Sequence, residues 1–417
     1  NRGKKMNIYF IIIIGMFLFQ YVLEIVVNIL NIKSLNPNLP SEFKDTFDSE
    51  KYLKSQNYTK TNTKFSFLTS SFSLIVNLMF IFGGFYNVID VYVRSFGFNA
   101  NITGLLFFGL LFIINDIISI PFSIYKTFVI EERFGFNKTT VKTYLTDKIK
   151  GYLLTVLIGG PVLYLILFFF NSYSQYGWLY VWCFLVVFSI IMQPIFTMFI
   201  APLFNKFTPL EEGPLLDRIR TYLSEVNFPV SKLEVIDGSK RSSHSNAYFS
   251  GIGKYKRIAL FDTLLEQMDD DEILSIIAHE VGHYKLKHIY MGIFLSTVQS
   301  GVMLFILSIF INNAMLFNVF QMESLSVYAS LVFFSMLYSP ISMLIGIFFT
   351  YISRKNEFSA DAYSVQTAKM PNSLISGLKK LSKENLSNLT PHWLNVFLNY
   401  THPPVLERVL AIKNSAK

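Results

Sequence analysis

Cysteine is almost absent from this chain of 417 residues, which contains a single one, Cys183. One thiol excludes a disulfide framework within the chain and a thiolate cluster for a metal. Cys183 also lies inside a long apolar run. We therefore expect any bound metal to be held by histidine and carboxylate side chains.

Charged residues are also scarce, at 15% of the chain against 52% hydrophobic and 17% aromatic residues. This balance is too apolar for an ordinary soluble protein of this length, so it predicts a membrane protein. Seven runs are each close to the ~20 residues that a helix needs to cross a bilayer. They are residues 9–32, 67–93, 102–130, 153–170, 178–203, 289–311 and 324–352.

The first run differs from a removable signal peptide. Its apolar stretch is longer than the roughly 7–15 residues of a signal-peptide core, and no small-residue cleavage site follows it. We expect it to remain as a membrane helix.

Basic residues are unevenly distributed among the loops of this chain, whose formal net charge is +8. No basic stretch carries the aromatic residues or the fold motif of a nucleic-acid binder, so nucleic acid is not an expected partner. The positive-inside rule places the loops after spans one and three, the insert 204–288 and the C-terminus in the cytoplasm. The basic residues of those two loops are Lys44, Lys51, Lys54, Lys60, Lys64, Arg133, Lys138, Lys142, Lys148 and Lys150.

The spans divide the chain into four parts. Five spans lie within residues 1–203, a soluble insert follows at 204–288, two spans lie within 289–353, and a soluble C-terminal segment occupies 354–417. We expect the chemistry in the two soluble parts.

Residue patterns predict an α+β arrangement for the insert. An amphipathic helix is expected over 212–226 and a short strand over 232–237. A hairpin-like pair of strands is expected over 246–249 and 257–261, with Gly251 and Gly253 between them.

A capped helix should follow this pair of strands. Asp269, Asp270 and Asp271 provide an N-cap and first-turn carboxylates for a helix that runs through His288 and continues toward span six.

The segment His279-Glu280-Val281-Gly282-His283 lies in the middle of that helix. Spacing of i and i+4 puts both imidazoles on one face, where they can ligate one metal ion. Glu280 projects about 100° away, so its carboxylate can act on a metal-activated water without ligating. The alternative is a chance pentapeptide with two polar residues near a membrane surface.

A catalytic zinc site needs a third protein ligand. Glu357 is the best candidate, since it lies just beyond span seven and on the same expected side as the two histidines. Asp361 follows it at i+4, so one carboxylate could ligate while the other orients a ligating imidazole. A solvated acidic turn after a membrane helix is the alternative.

Several segments together resemble the type I CAAX prenyl endoproteases, an integral-membrane zinc family. They occur in the same order as in the family and cover most of the chain after span two. These segments are residues 131–137 (EERFGFN), 202–214 (PLFNKFTPLEEGP), 245–249, 279–283, 356–362, and His402-Pro403-Pro404 with Glu407-Arg408.

This resemblance implies a mainly α integral membrane protein with seven transmembrane helices forming a chamber and a small α+β zincin-type metalloprotease domain on the cytoplasmic side. It implies one Zn²⁺ per chain with Glu357 as third ligand, and endoproteolysis near the C-terminus of a membrane-associated peptide. In eukaryotic members the three residues after a prenylated cysteine are removed. The implied location is the endoplasmic reticulum membrane in a eukaryote and the inner membrane in a prokaryote.

The resemblance also assigns the C-terminal motif to the site. His402 and Arg408 lie near the metal in the family, as partners of the oxyanion or of a substrate carboxylate. From the residues alone, His402 could equally be a helix-entry residue, and Arg408 a partner of Glu407 or of a lipid headgroup. Arg354 fits ordinary membrane topology.

Residues 246–250 alternate as an edge strand does, with Asn246, Tyr248 and Ser250 on one side and Ala247 and Phe249 on the other. An extended substrate can pair with such an edge, so Asn246, Ala247 and Tyr248 are candidate substrate-binding residues. The alternative is a turn at Asn246 followed by core residues.

Three functions remain open at this point: a CAAX-type protease, a broad quality-control zinc protease of the membrane, and a non-enzymatic membrane scaffold. The number of spans and the segment 402–408 disfavour the second, and the complete ligand and base set disfavours the third. The expected partners are the bilayer and a peptide or protein substrate, prenylated or not. His244, His288 and His392 are expected to be structural.

Overall fold

The computed structural model describes residues 7–173, 175–228, 232–250 and 256–415. Within these residues, six helices are long and apolar enough to cross a membrane, and a bent pair supplies a seventh candidate. The expected mainly helical, multi-pass architecture with a small sheet is confirmed. The six helices are Ile8–Lys33, Ser49–Phe82, Ala100–Phe134, Val141–Ser172, Gly177–Phe204 and His288–Phe310.

The second predicted span is wrong as one continuous helix over 67–93. The helix Ser49–Phe82 stops at a pair of glycines, and a separate helix, Phe85–Arg94, follows. Gly84 adopts φ of +64°, a left-handed conformation that glycine accepts without a Cβ penalty. This glycine pair ends the span.

The seventh predicted span is also broken. The helices Val327–Leu337 and Ser339–Ala368 differ by 58° in direction. Pro340 lies at the start of the second helix, where its missing N–H costs no hydrogen bond. The second helix, here called the Glu357 helix, continues past the apolar run and carries the acidic candidates of the site.

Several lysines assigned to loops lie in helices. Lys51 to Lys64 belong to the helix Ser49–Phe82, and Lys148 and Lys150 to Val141–Leu154. Lys148 Nζ lies 2.7 Å from Asp116 of a neighbouring span. The loop assignment was wrong because polar helical turns extend these spans beyond their apolar runs.

In the described part of the chain, four strands form the sheet: β1 Phe207–Pro209, β2 Lys232–Ile236, β3 Ala247–Ser250 and β4 Arg257–Phe261. Their order is β1-β2-β4-β3; β2 and β4 are parallel and the other two pairs antiparallel. The predicted pairing of the last two strands is present, with Ala247 opposite Leu260. Gly251 and Gly253 lie outside the described residues.

The candidate metal helix, Asp270–Lys285, begins as expected. Asp269 caps it, and Glu272 completes a reciprocal capping box with both hydrogen bonds at 3.0 Å. Its predicted continuation through His288 is wrong. Lys287 takes a left-handed φ of 62°, and a new helix starts at His288.

This metal helix packs against the Glu357 helix at close range. A Cβ on Gly282 would lie 3.2 Å from the Cα of Ala360, so the absence of a side chain permits this approach. Ile277 and Val281 of the metal helix are buried in the core that also contains Ile258 and Leu260 of strand β4. The two helices are thereby held together where their candidate ligands face each other.

Shorter helices complete the described part of the chain. The predicted amphipathic helix is present as Pro214–Glu225. The other short helices are Ser41–Phe43, Gly238–Lys240, Asp262–Gln267, Ala314–Val319, Pro371–Glu384, Trp393–Asn399 and Val405–Ser415.

Candidate metal centre

Three side chains from two helices converge on one point. His279 Nε2 and His283 Nε2 are 3.1 Å apart. Glu357 brings Oε2 within 3.4 Å of the first nitrogen and Oε1 within 3.2 Å of the second. One ligand atom from each residue therefore lies within 4.8 Å of the others.

This geometry fits a small divalent cation. Ligand atoms about 2.0–2.1 Å from a tetrahedral centre lie about 3.3 Å apart. The two imidazole nitrogens are 3.1 Å apart, and each lies 3.2–3.4 Å from one of the two Glu357 oxygens. Glu357 Oε2 is buried and, among the described residues, has no hydrogen-bond partner of good geometry. Such an oxygen is costly in a folded protein, and a bound cation removes the cost.

Asp361 supports the first histidine from one helical turn beyond Glu357. Its Oδ1 lies 2.8 Å from His279 Nδ1, which turns the Nε2 of that ring toward Glu357. Only 2% of Asp361 is exposed. A carboxylate on the outer nitrogen fixes the tautomer and the orientation that a metal ligand needs.

Arg408 contacts both of these carboxylates. Its Nε and Nη2 bond both oxygens of Asp361 at 2.8 and 2.7 Å, and its Nη1 lies 3.2 Å from Glu357 Oε2. These contacts make Arg408 an internal partner of two acidic residues, a pairing that the sequence did not indicate.

Burial alone disfavours the charged form of His279, but the carboxylates of Asp361 and Glu357 outweigh it and raise the pKa of His279 to about 9. Burial likewise opposes the charge of Arg408, yet Asp361 raises the pKa of the guanidinium. The guanidinium therefore stays charged at neutral pH.

Glu280 and His402 flank the three candidate ligands. Glu280 follows His279 on the metal helix and is half-buried, and its charge acts on Arg408. His402 Nε2 lies 3.4 Å from Glu357 Oε1, with 65% of the side chain exposed. His402 also precedes the helix Val405–Ser415. It therefore lies both at the start of a helix and near the candidate metal ligands, so the two interpretations of this residue are compatible.

Strand β3 forms an edge of the sheet beside the metal helix. Asn246 is exposed; its carbonyl accepts from Phe261 N, and its side chain accepts from Ala247 N at 2.9 Å. Phe249 packs on Tyr284, the residue after His283. The strand thus has one outer edge without a neighbouring strand among the described residues and one face in the core.

Comparison with known proteins identifies the family of the whole chain. Residues 28–206 match the family model described as CAAX prenyl protease N-terminal, five membrane helices, and residues 209–416 match Peptidase family M48. The chain belongs to the M48 metallopeptidases.

Relatives in this family cover almost the full length. A protein named CAAX prenyl protease 1 homolog from Arabidopsis thaliana is 34% identical over 97% of each chain. CAAX prenyl protease 1 of Saccharomyces cerevisiae is 35% identical over 90% of this chain and 88% of its own. The crystal structure of S. mikatae Ste24p superposes with a TM-score of 0.91 at 34% identity, covering 97% and 99% of the two chains.

Two side chains of this M48 chain contact the site without having been predicted. Asn385 accepts from Ser245 N and donates to Ser245 O, both at 3.1 Å, just before Asn246. No sequence pattern points to it. His288, expected to be structural only, lies 3.0 Å from His283 Nδ1. The sequence feature that could have indicated this contact is the position of His288, five residues after His283.

The remaining candidates of the M48 chain make structural contacts. His244 stacks on Phe136 at 3.8 Å, and His392 accepts from Leu394 N at the start of a helix. Arg354 donates to the carbonyls of Val396 and Tyr400 at 2.9 and 2.7 Å, at the end of the helix Trp393–Asn399.

Proposed function

We propose that this chain is a zinc endopeptidase of the membrane that cleaves near the C-terminus of CAAX-type prenylated peptides or of other membrane-associated peptides. The observation that carries the proposal is the group of His279, His283 and Glu357, of which the first and third are buried and the second is half-buried. Glu357 lies on the second helix of the bent pair that supplies the seventh candidate span. Full-length relatives named CAAX prenyl protease 1 support the substrate class.

His279, His283 and Glu357 are the residues that would hold one Zn²⁺. When bound, the ion supplies Lewis acidity and lowers the pKa of a water in its open position toward ~7. Asp361 and Arg408 hold His279 and Glu357 in place, as their contacts of 2.7–3.2 Å support.

Glu280 is the proposed general base. Its carboxylate takes a proton from the attacking water and later delivers that proton to the leaving amine. Its half-buried position next to His279 is compatible with contact to both. His402, the exposed imidazole beside Glu357, is proposed to donate from Nε2 to the oxygen of the scissile carbonyl, which gains negative charge during attack.

Strand β3 is the proposed substrate platform. An extended peptide would add to its outer edge, with main-chain hydrogen bonds to the stretch from Asn246 to Tyr248 and side chains alternating between two sides. Asn246 and Ala247 supply the first main-chain groups, and Arg408, a candidate substrate partner, instead pairs with Asp361 and Glu357 at the metal centre. This pairing would orient the scissile carbonyl before reaction.

The cytoplasmic side is the proposed location of the site. The bias of Lys and Arg toward the same side as the insert and the C-terminus supports this orientation. Membrane-impermeant labelling tests it: in a Cys183→Ser background, a cysteine at Ser387 should react only from the cytoplasmic side. Reaction from the opposite side contradicts the orientation.

Mass spectrometry of peptide cleavage tests the activity. Purified full chain is incubated with a farnesylated peptide ending in C-a-a-X and with the same peptide lacking the lipid. Release of the last three residues from the farnesylated peptide, but not in Glu280→Ala, is expected. Equal cleavage of both peptides indicates a broader peptidase, and cleavage of neither contradicts the proposal.

A further inference from the structure

The imidazole of His288 occupies a place that a continuous helix could not give it. At 100° per residue, positions five apart on a helix point about 140° away from each other. Here the metal helix ends at Lys285, and Lys287 turns the chain through a left-handed φ of 62°. As a result His288 Nδ1 lies 3.0 Å from His283 Nδ1.

Neighbouring hydrogen bonds determine which of the two Nδ1 atoms donates the proton in this contact. Ser359 donates its hydroxyl to Asn356 O at 2.9 Å, so its oxygen accepts from His288 Nε2 at 3.2 Å. His288 Nδ1 is then left as an acceptor, and the proton of the contact belongs to His283 Nδ1. That tautomer leaves a lone pair on His283 Nε2, the atom that faces His279 and Glu357.

We propose that His288 is a positioning residue that holds His283 in its metal-binding tautomer and ring orientation. The inference rests on the metal site proposed above. The two ligand imidazoles then have different hydrogen-bond partners. His279 bonds the carboxylate of Asp361, whereas His283 bonds the neutral imidazole of His288. A neutral support orients the ligand without adding negative charge to a site that already contains two carboxylates.

Three substitutions separate this role from mere packing. His288→Phe keeps the ring volume and removes both nitrogens. His288→Asn keeps an acceptor oxygen near the position of Nδ1. Ser359→Ala removes only the outer anchor, and His392→Asn is the matched control, since asparagine preserves the helix cap at that remote histidine.

Zinc affinity of the purified full chain, measured by competition with a chelator, is the main readout. We expect His288→Phe to weaken zinc binding roughly 10–100-fold, the usual range for a residue that orients a ligand. His288→Asn should recover most of this loss, and Ser359→Ala should weaken binding less than His288→Phe. The absorption spectrum of the cobalt-substituted protein should change in His288→Phe and stay as in the parent chain in His392→Asn.

Unchanged zinc affinity in His288→Phe overturns the proposal, and so does a His288→Asn variant that binds no better than His288→Phe. If His288→Phe does not fold, Ser359→Ala decides, and unchanged affinity there overturns the proposal. Failure of the parent chain to bind one equivalent of zinc is a separate result, because it removes the metal site itself.

Discussion

Carboxylates in the membrane-spanning helices and at the metal centre are satisfied to different degrees. Asp116, inside the span Ala100–Phe134, receives Lys148 Nζ at 2.7 Å and the hydroxyl of Tyr152 at 2.5 Å. At the metal centre, Glu357 and Asp361 both contact Arg408, and Glu357 Oε2 lacks a hydrogen-bond partner of good geometry among the described residues.

The difference separates a structural carboxylate from a functional one. A buried charge is costly unless it is paired and hydrogen-bonded, so the complete partner set of Asp116 needs nothing further. Glu357 Oε2 has an ion-pair contact with Arg408 but no hydrogen bond of good geometry among the described residues, as expected of an oxygen that also binds a metal ion. Substitutions in the two regions should therefore change different properties.

The largest effect is expected at Glu280, the proposed general base beside the metal ligands. Glu280→Ala should keep bound zinc and lose at least about 100-fold in turnover, the lower bound for removing a general base. Peptide cleavage and metal analysis of the same sample measure both. Glu266→Ala, an exposed carboxylate of the helix Asp262–Gln267, is the control. A Glu280→Ala variant with more than a few per cent of activity contradicts the assigned role.

Removal of Glu357 should deplete the metal instead. Glu357→Ala takes away one of three ligands, and zinc content after purification should fall well below one equivalent. Elemental analysis measures it. Near-full zinc occupancy in Glu357→Ala would show that Glu357 is not a ligand. It would also weaken the distinction between Glu357 as a functional carboxylate and Asp116 as a structural one.

Asn246→Ala should affect substrate positioning alone. We expect a folded, zinc-loaded protein whose kcat/KM for peptide falls roughly 10-fold, because alignment of the reacting groups contributes to the rate. Thr208→Ala, on the opposite edge strand β1, is the matched control. Full activity in Asn246→Ala, or a bound peptide running elsewhere, ends the strand proposal.

Zinc binding should release a proton from His279 over a defined pH window. Asp361 and Glu357 raise the pKa of His279 from 6.5 to about 9 in the metal-free protein, although burial opposes them. Protonated His279 therefore stabilises the metal-free fold fully below pH 6.5, and this contribution is lost as pH rises through 9.

Calorimetry in two buffers of different ionisation enthalpy measures this release. At pH 7.5, zinc binding should displace about one proton from His279, and near pH 10 almost none. A zinc-bound water should lose its proton at both pH values, so the total release should be clearly larger at pH 7.5 than near pH 10. Asp361→Asn should reduce the release at pH 7.5 because it removes one carboxylate that raises the pKa. Equal release at both pH values contradicts the assignment.

The smallest effect on the metal is expected from the membrane carboxylate. Asp116→Asn should bind zinc as the parent chain does and lose on the order of 1 kcal/mol of stability, typical of a polar contact inside a membrane protein. Thermal unfolding and zinc content measure the two properties. Reduced zinc content in Asp116→Asn would show that the two regions are coupled.

Local periodicity made the main features of the site predictable. The i and i+4 spacing of His279 and His283, and the acidic residues before their helix, act within one element and need no tertiary information. Glu357 and Asp361 were predicted as a pair, although the residues alone did not separate ligand from support. Resemblance to the family assigned Glu357 as the ligand.

Breaks in helices were harder to predict. Hydropathy continues across Gly83 and Tyr338, so the apolar pattern predicts continuous helices at both points. The glycine pair and Pro340 were present as local signals, whereas nothing in the sequence marks the left-handed conformation of Lys287.

The sequence by itself determined the membrane class and was enough to predict the metal-binding pair and the base, because hydropathy and helical spacing are properties of neighbouring residues. Only the tertiary structure decided that Arg408 pairs with Asp361, 47 positions away, and that His288 folds back onto His283. Contacts between elements depend on how helices pack and where they end, and the periodicity of apolar residues in the sequence predicts neither.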